Sequence, residues 1–170
     1  MDAASIFDSI GKLVTVLAAV TGSWWALEKW RKRDEHFPRV YFEVSVNFIG
    51  TQKGQFVAEL VATLENKGVV PLKIKHFSFK LLGLKDTDSL VKGGHEIREQ
   101  LAFPHAIQEG VFVPSDWDYS FIYPGIKTEY NFITLISSQY SFVRLQGDFE
   151  YLSDGDSHHA AKVFKVPAQS

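Results

Sequence analysis

The chain has 170 residues, and 18 Lys and Arg against 20 Asp and Glu give it a formal net charge of −2. This balance provides no global basic field of the kind that draws proteins to nucleic acid. The chain contains no cysteine, which excludes disulfides, thiol nucleophiles and cysteine-based metal centres.

The N-terminal segment has the composition of a membrane anchor. Fifteen uncharged residues run from Leu13 to Leu27, fewer than the roughly 20 that a spanning helix needs. Extension to Ile6–Trp30 gives 25 residues and brings tryptophans to one membrane interface, where indole rings are enriched. The pattern predicts a transmembrane helix in domain 1–33, a linker at 34–39 and a second domain at 40–170.

Basic residues follow this helix rather than precede it. Arg31, Lys32 and Arg33 come directly after Trp30, so the positive-inside rule places the N-terminus outside and the C-terminal domain in the cytoplasm. The predicted protein therefore crosses its membrane once. A cleaved signal peptide, which needs its positive charge before the apolar stretch, and an amphipathic or packed soluble helix are the alternatives.

One face of the helix carries small and polar residues. Thr15, Ala18 and Gly22 recur at helical spacing, and Asp8 lies before them. Small residues allow helices to approach closely in lipid, and ionisable residues near a bilayer face a bundle interior or water. These four residues are the predicted pore or helix seam of a homo-oligomer. The alternative is that small residues are simply common in membrane helices.

From Val40 to Phe48 apolar residues alternate with polar ones, which is typical of a strand with one buried face. This strand and further segments of the same kind predict a mainly β fold class. In it the transmembrane helix is followed by an antiparallel immunoglobulin-like β-sandwich or a barrel. The further strands are predicted at Phe56–Glu65, Val69–Lys75, His76–Leu82, Glu96–Phe103, Gly110–Val113, Asp118–Tyr123, Thr128–Ile136, Ser141–Leu152 and Ala160–Val166.

No motif in the sequence indicates catalysis. The chain has no Gly-x-Ser-x-Gly, and Lys92-Gly93-Gly94 lacks the spacing of a phosphate-binding loop, which favours a turn. Asp154–His159 contains four residues of metal-ligating type, but adjacent strand histidines point to opposite faces and Asp-Gly is typical of a hairpin. We therefore expect no enzyme activity, no cofactor and no metal site.

Two clusters suggest a ligand. Trp117, Tyr119, Phe121 and Tyr123 alternate along the chain, so four rings share one strand face, which suits either base stacking or the inner face of a sandwich. Lys73 and Lys75 also share a strand face and suit either phosphate binding or a solvated edge. The candidate ligand-binding residues are Lys73, Lys75, Trp117 and Lys127.

This plan resembles the small membrane-anchored effectors of bacterial anti-phage defence, and in particular the channel-forming subunit of Hailong-type systems. The resemblance is carried by the architecture together with Phe37-Pro38-Arg39-Val40, Glu65-Asn66-Lys67-Gly68 and Pro114-Ser115-Asp116-Trp117. It implies a bacterial inner-membrane localisation and a nucleotidyltransferase partner that makes a nucleotide signal. It also implies that the anchored protein oligomerises and alters membrane permeability.

The expected function is therefore an oligomeric ion channel or pore in the bilayer. A nucleotide or single-stranded oligonucleotide bound by the cytoplasmic β domain would gate it through different affinities for its two states. The alternative is a membrane-tethered β-sandwich interaction module, without a channel, that docks a protein partner through an edge strand. An enzyme is the third interpretation.

Overall fold

The computed structural model describes residues 3–31, 39–91, 101–114, 116–153 and 155–168, and within the helix the side chains of residues 11–30. The chain forms two compact units, Met1–Phe37 and Pro38–Ser170. Most of the predicted linker, the side chain of Asp8, the basic residues 32–33 and Lys92-Gly93-Gly94 lie outside the described residues.

The first unit contains one helix, α1, over Ala3–Arg31. The segment has no proline, and its threonine hydroxyls bond within the helix. Thr15 Oγ1 donates to the carbonyl of Gly11 at 2.9 Å, and Thr21 Oγ1 donates to that of Leu17 at 2.8 Å. These local bonds satisfy polar groups within the helix itself.

The prediction that this helix spans a membrane is wrong. Within the described part of the chain, no helix combines the length and the apolar character that crossing a bilayer requires. The physical reason is the composition of α1. Its uncharged run is short, and the apolar character of that run is lowered by Thr15, Thr21, Gly22 and Ser23. The transmembrane part of the fold class and the single-pass inner-membrane localisation are both overturned. The expected channel function stays a prediction.

The second unit is made of strands that form two antiparallel sheets. One sheet has the order β1-β2-β6; the other has the order β4-β3-β7-β8, with β5 also paired to β3. The strands are β1 Val40–Gln52, β2 Gln55–Asn66, β3 Leu72–Lys85, β4 His105–Val111, β5 Ser120–Ile122, β6 Lys127–Ser137, β7 Tyr140–Tyr151 and β8 Ser157–Lys165.

Aromatic rings fill the space between the two sheets. The ring of Phe77 in β3 lies 5.6 Å from that of Phe42 in β1, and Phe79 lies 4.8 Å from Phe132 in β6. Phe149 in β7 is 1% exposed. Burial of such a side chain contributes about 2–3 kcal/mol, so the alternating apolar residues are what hold the sandwich together.

The strand β3 replaces two predicted strands. His76 has a positive φ of 51°, and the register with β7 shifts between Lys75 and Ser78. This irregularity interrupts the alternation of the sequence without ending the strand. The predicted strand Glu96–Phe103 falls mostly outside the described residues, and the part from Leu101 onward contains only an isolated bridge.

The predicted hairpin near the C-terminus is confirmed, since β7 pairs antiparallel with β8. Gly155 has φ 76°, and the Tyr151 amide donates to the carbonyl of Asp156 at 2.8 Å. Asp154 lies outside the described residues. His158 bonds the Tyr151 hydroxyl, whereas His159 lies on the opposite face of the strand against Asp148.

Candidate functional site

Four exposed aromatic side chains form the most prominent surface feature around β5. They are Trp117, Tyr119, Phe121 and Tyr123, which are 58%, 42%, 53% and 58% exposed; we call them the aromatic row. The alternate side chain of Ile122 is 1% exposed, and strand geometry therefore turns Phe121 outward. The interpretation of this run as the inner face of the sandwich is wrong, because all four rings are exposed; base stacking stays a prediction.

Pairing with β3 holds the row in place. Lys73 is the register partner of Phe121, and its Nζ lies 5.3 Å from the centre of the Tyr119 ring. A cation over an exposed ring contributes about 0.5–1 kcal/mol. The Phe121 ring lies 6.5 Å from Tyr119 and 5.2 Å from Tyr123, so three of the rings form a continuous surface.

The amide of Asn66, which is 0% exposed, ties β5 to the end of β2. Its Nδ2 donates to the carbonyl oxygens of Val70 at 2.8 Å and Ile122 at 2.9 Å. Its Oδ1 accepts the Gly68 amide at 3.0 Å. Because an unpaired buried amide is costly, this set of bonds specifies one position for β5.

A cleft of about 410 Å³ opens beside the row. Its apolar lining includes Ile74, Phe77 and Val113, and its rim includes His76 and Trp117. The three buried apolar side chains of this lining suit a small apolar side chain of a bound molecule.

The charges around the row nearly cancel. Glu150 Oε2 lies 3.4 Å from Lys75 Nζ and 3.1 Å from His76 Nδ1. The hydrogen bond with His76, and then the one with Lys75, hold the pKa of Glu150 below its usual value. Asp116 and Asp118 flank Trp117 in the sequence.

This arrangement does not favour an anionic ligand. Three carboxylates oppose two ammonium groups here. The carboxylates are those of Glu150, Asp116 and Asp118, and the ammonium groups are those of Lys73 and Lys75. Phosphate binding depends on an excess of positive charge that this surface lacks.

The structure brings together three of the four predicted ligand residues, since Trp117 belongs to the aromatic row and Lys73 and Lys75 lie beside it. Lys127 begins β6 in the other sheet, where its Nζ lies 3.3 Å from Glu129. Their binding role stays a prediction.

The predicted helix-seam residues Thr15, Ala18 and Gly22 are exposed on α1, and their role likewise stays a prediction. Asn66 and Glu150 also belong to the site, although no sequence motif marks either residue. Their partners Ile122 and His76 lie far away in the chain, so no local pattern pairs them.

No family model matches the chain, and no curated protein matches it. Solved structures that it resembles include a protein assigned as ApaA from Bordetella pertussis, with 13% identity, a TM-score of 0.49 and coverage of 78% of this chain and 97% of the other. Another is the structural genomics target SoR45, with 16% identity, a TM-score of 0.45 and coverage of 76% and 86%. The resemblance to Hailong-type effectors stays a prediction.

Proposed function

We propose that the β domain is a protein-interaction module that docks a partner protein on the aromatic row. The observation that carries this proposal is the exposure of four aromatic rings, between 42% and 58% each, on β5 and its flanks, which are tied to a buried scaffold. A contiguous patch of exposed apolar side chains is a common mark of an interaction site.

Tyrosine, tryptophan and phenylalanine are the side chains that protein interfaces enrich. They supply large contact areas and lose little rotamer freedom on binding, so they account for much of the affinity at interface hot spots. The cleft beside Trp117 offers a place for one anchoring side chain of the partner. The near-cancelled charge of this surface supports a protein rather than a phosphate-bearing ligand.

Site-specific photo-cross-linking, in the cells that produce the protein, tests this proposal. A photoreactive phenylalanine analogue replaces Tyr119 in one variant and Tyr41 in the control. The two side chains are 42% and 41% exposed, but Tyr41 lies in β1 of the other sheet. We expect a discrete cross-linked protein from position 119 that position 41 does not capture.

The captured protein is then purified and titrated against the wild type, Phe121→Ala and the control Phe142→Ala, whose phenylalanine is 39% exposed on β7. We expect the first substitution alone to weaken binding by about 30-fold, the effect of losing an interface hot spot. Equal affinities for all three proteins would overturn the proposal. Tight, Phe121-dependent binding of a labelled single-stranded oligonucleotide would also overturn it and assign the row to base stacking.

A further inference from the structure

The strand β6 has a long free edge. Within the described residues β6 pairs with β2 alone. The register begins with Lys127 opposite Glu65 and ends with Ser137 opposite Gln55, and it contains no shift. Alternate residues of an antiparallel strand direct their backbone N–H and C=O groups to opposite sides of the strand. The side of β6 that does not face β2 therefore offers a row of hydrogen-bonding groups.

The other terminal strands carry features that discourage pairing. The β1 strand has a register shift after Phe48, and β4 pairs with β3 across another shift at Leu81. The β5 strand has three residues, and β8 contains Lys162 and Lys165. Bulges, short strands and edge lysines are the usual protections of a sheet edge.

The segment of β6 from Tyr130 to Ser137 has no such protection. It contains no charge, proline or glycine, and its outer face exposes Ile133 by 65% and Leu135 by 49%. Charged residues occur only at the N-terminal end of the strand, where Lys127 and Glu129 pair with each other.

This segment is also symmetric in chemical type about Thr134. The sequence from 131 to 137 is Asn-Phe-Ile-Thr-Leu-Ile-Ser, which is polar at both ends, apolar inside and centred on a threonine. If two copies pair antiparallel about Thr134, Ile133 of each copy faces Leu135 of the other, Phe132 faces Ile136 and Asn131 faces Ser137.

We propose that two copies of this chain pair through β6, antiparallel and centred on Thr134, to form a dimer. Apolar pairs and threonine pairs are favourable cross-strand neighbours, and a two-fold interface requires this kind of self-complementary pattern. The pairing joins two three-stranded sheets into one continuous sheet of six strands.

This dimer does not depend on the proposed function. The aromatic row lies on β5 and its flanks, paired to β3 in the other sheet, whereas the pairing uses residues 131–137 of β6. The N-terminal part of β6 approaches β5 at Tyr130, whose hydroxyl bonds that of Ser120 at 3.0 Å.

Single cysteines test the register, because the natural chain has none. Opposite residues in an antiparallel pair have Cα atoms about 4.5–5.5 Å apart, within the range of a disulfide. The variant Thr134→Cys should therefore form a disulfide-linked dimer under mild oxidation in the full-length protein. Ser137→Cys should not, since the pairing separates its two copies by several residues. Equal cross-linking of both variants, or cross-linking of Ser137→Cys alone, would overturn the register.

Molecular mass measured by sedimentation over a range of concentrations tests the dimer itself. Ile133→Lys places a charge on the proposed interface and should raise the dimer Kd at least 100-fold. Ile49→Lys is the matched control, because Ile49 is 62% exposed on β1 at the opposite edge of the same sheet, and it should leave the Kd unchanged. A monomeric wild type, or equal dimerisation of the Ile133→Lys variant and the wild type, would overturn the proposal.

Discussion

Asn66 and Ile122 are 56 residues apart in the sequence and are joined by a hydrogen bond of 2.9 Å from the Asn66 side-chain amide to the Ile122 carbonyl. Backbone bonds reinforce the connection, since the Gly125 amide donates to the Asn66 carbonyl at 2.8 Å and the Asn66 amide donates to that of Ile126 at 3.1 Å. The position of the aromatic row therefore depends on one buried asparagine at the end of β2.

Replacement of Asn66 by alanine should destabilise the β domain by about 2–4 kcal/mol. The substitution leaves the carbonyls of Val70 and Ile122 without their side-chain donor, and unmade buried hydrogen bonds cost about 1–3 kcal/mol each. Urea denaturation measures the free energy of unfolding. The control Asn47→Ala removes an exposed bond to Glu59 and should change it by less than about 0.5 kcal/mol. Similar losses in both variants would contradict the role assigned to Asn66.

Two phenylalanines should separate binding from stability. Phe149→Ala removes a ring that is 1% exposed and should cost about 3–5 kcal/mol. Phe121→Ala removes a ring that is 53% exposed and should cost less than about 1 kcal/mol, because most of that ring already contacts water. Thermal and urea denaturation of the two variants check this. A large cost at Phe121 would mean that the ring is structural and would weaken its assignment to docking.

Two glycines provide a packing test. A Cβ at Gly147 would lie 2.8 Å from the Phe42 ring and 3.1 Å from Val44, so Gly147→Ala should destabilise the sandwich by about 1–3 kcal/mol. A Cβ at Gly50 would meet nothing within 4 Å, and Gly50→Ala should be neutral or slightly stabilising. Denaturation midpoints of the two variants measure the difference. A neutral Gly147→Ala would show that the two sheets are less tightly packed at this point.

Acid should lower the free energy of unfolding, partly through protonation of Glu150. Its pKa is lowered in the folded protein by His76 and then by Lys75, so its contribution to stability is present above the unfolded pKa and is lost as the pH falls through the folded pKa. The urea midpoint of Glu150→Gln should therefore fall less steeply than that of the wild type as the pH decreases below 5. Glu109→Gln, which removes an exposed pair with Lys80, serves as the control. Parallel pH profiles for Glu150→Gln and the wild type would exclude this contribution.

Much of the β domain was predictable because local alternation reports which strand face is buried. The pattern from Val40 to Phe48 predicted β1, and the Asp-Gly signal predicted the turn between β7 and β8. The continuation of β3 through His76 was not predictable. The alternation of the sequence is interrupted there by a positive φ, which leaves no signal in composition.

The helix shows where local pattern misleads. Its start and end near Ala3 and Arg31 follow from a long run of residues without proline, but flanking tryptophans and arginines suggested a membrane span that the helix is not long and apolar enough to make. Interfacial residues indicate a membrane only when the run between them is sufficiently apolar.

Residue order alone indicated most of the strands and determined that Tyr119, Phe121 and Tyr123 share one face, because a strand alternates its side chains with a period of two. Only the tertiary structure decided that this face is the outer one, that Asn66 holds it in place and that Glu150 lies against His76. These relations join residues far apart in the chain, and they depend on which strands pair and which face of each sheet meets the core. No local pattern contains that information.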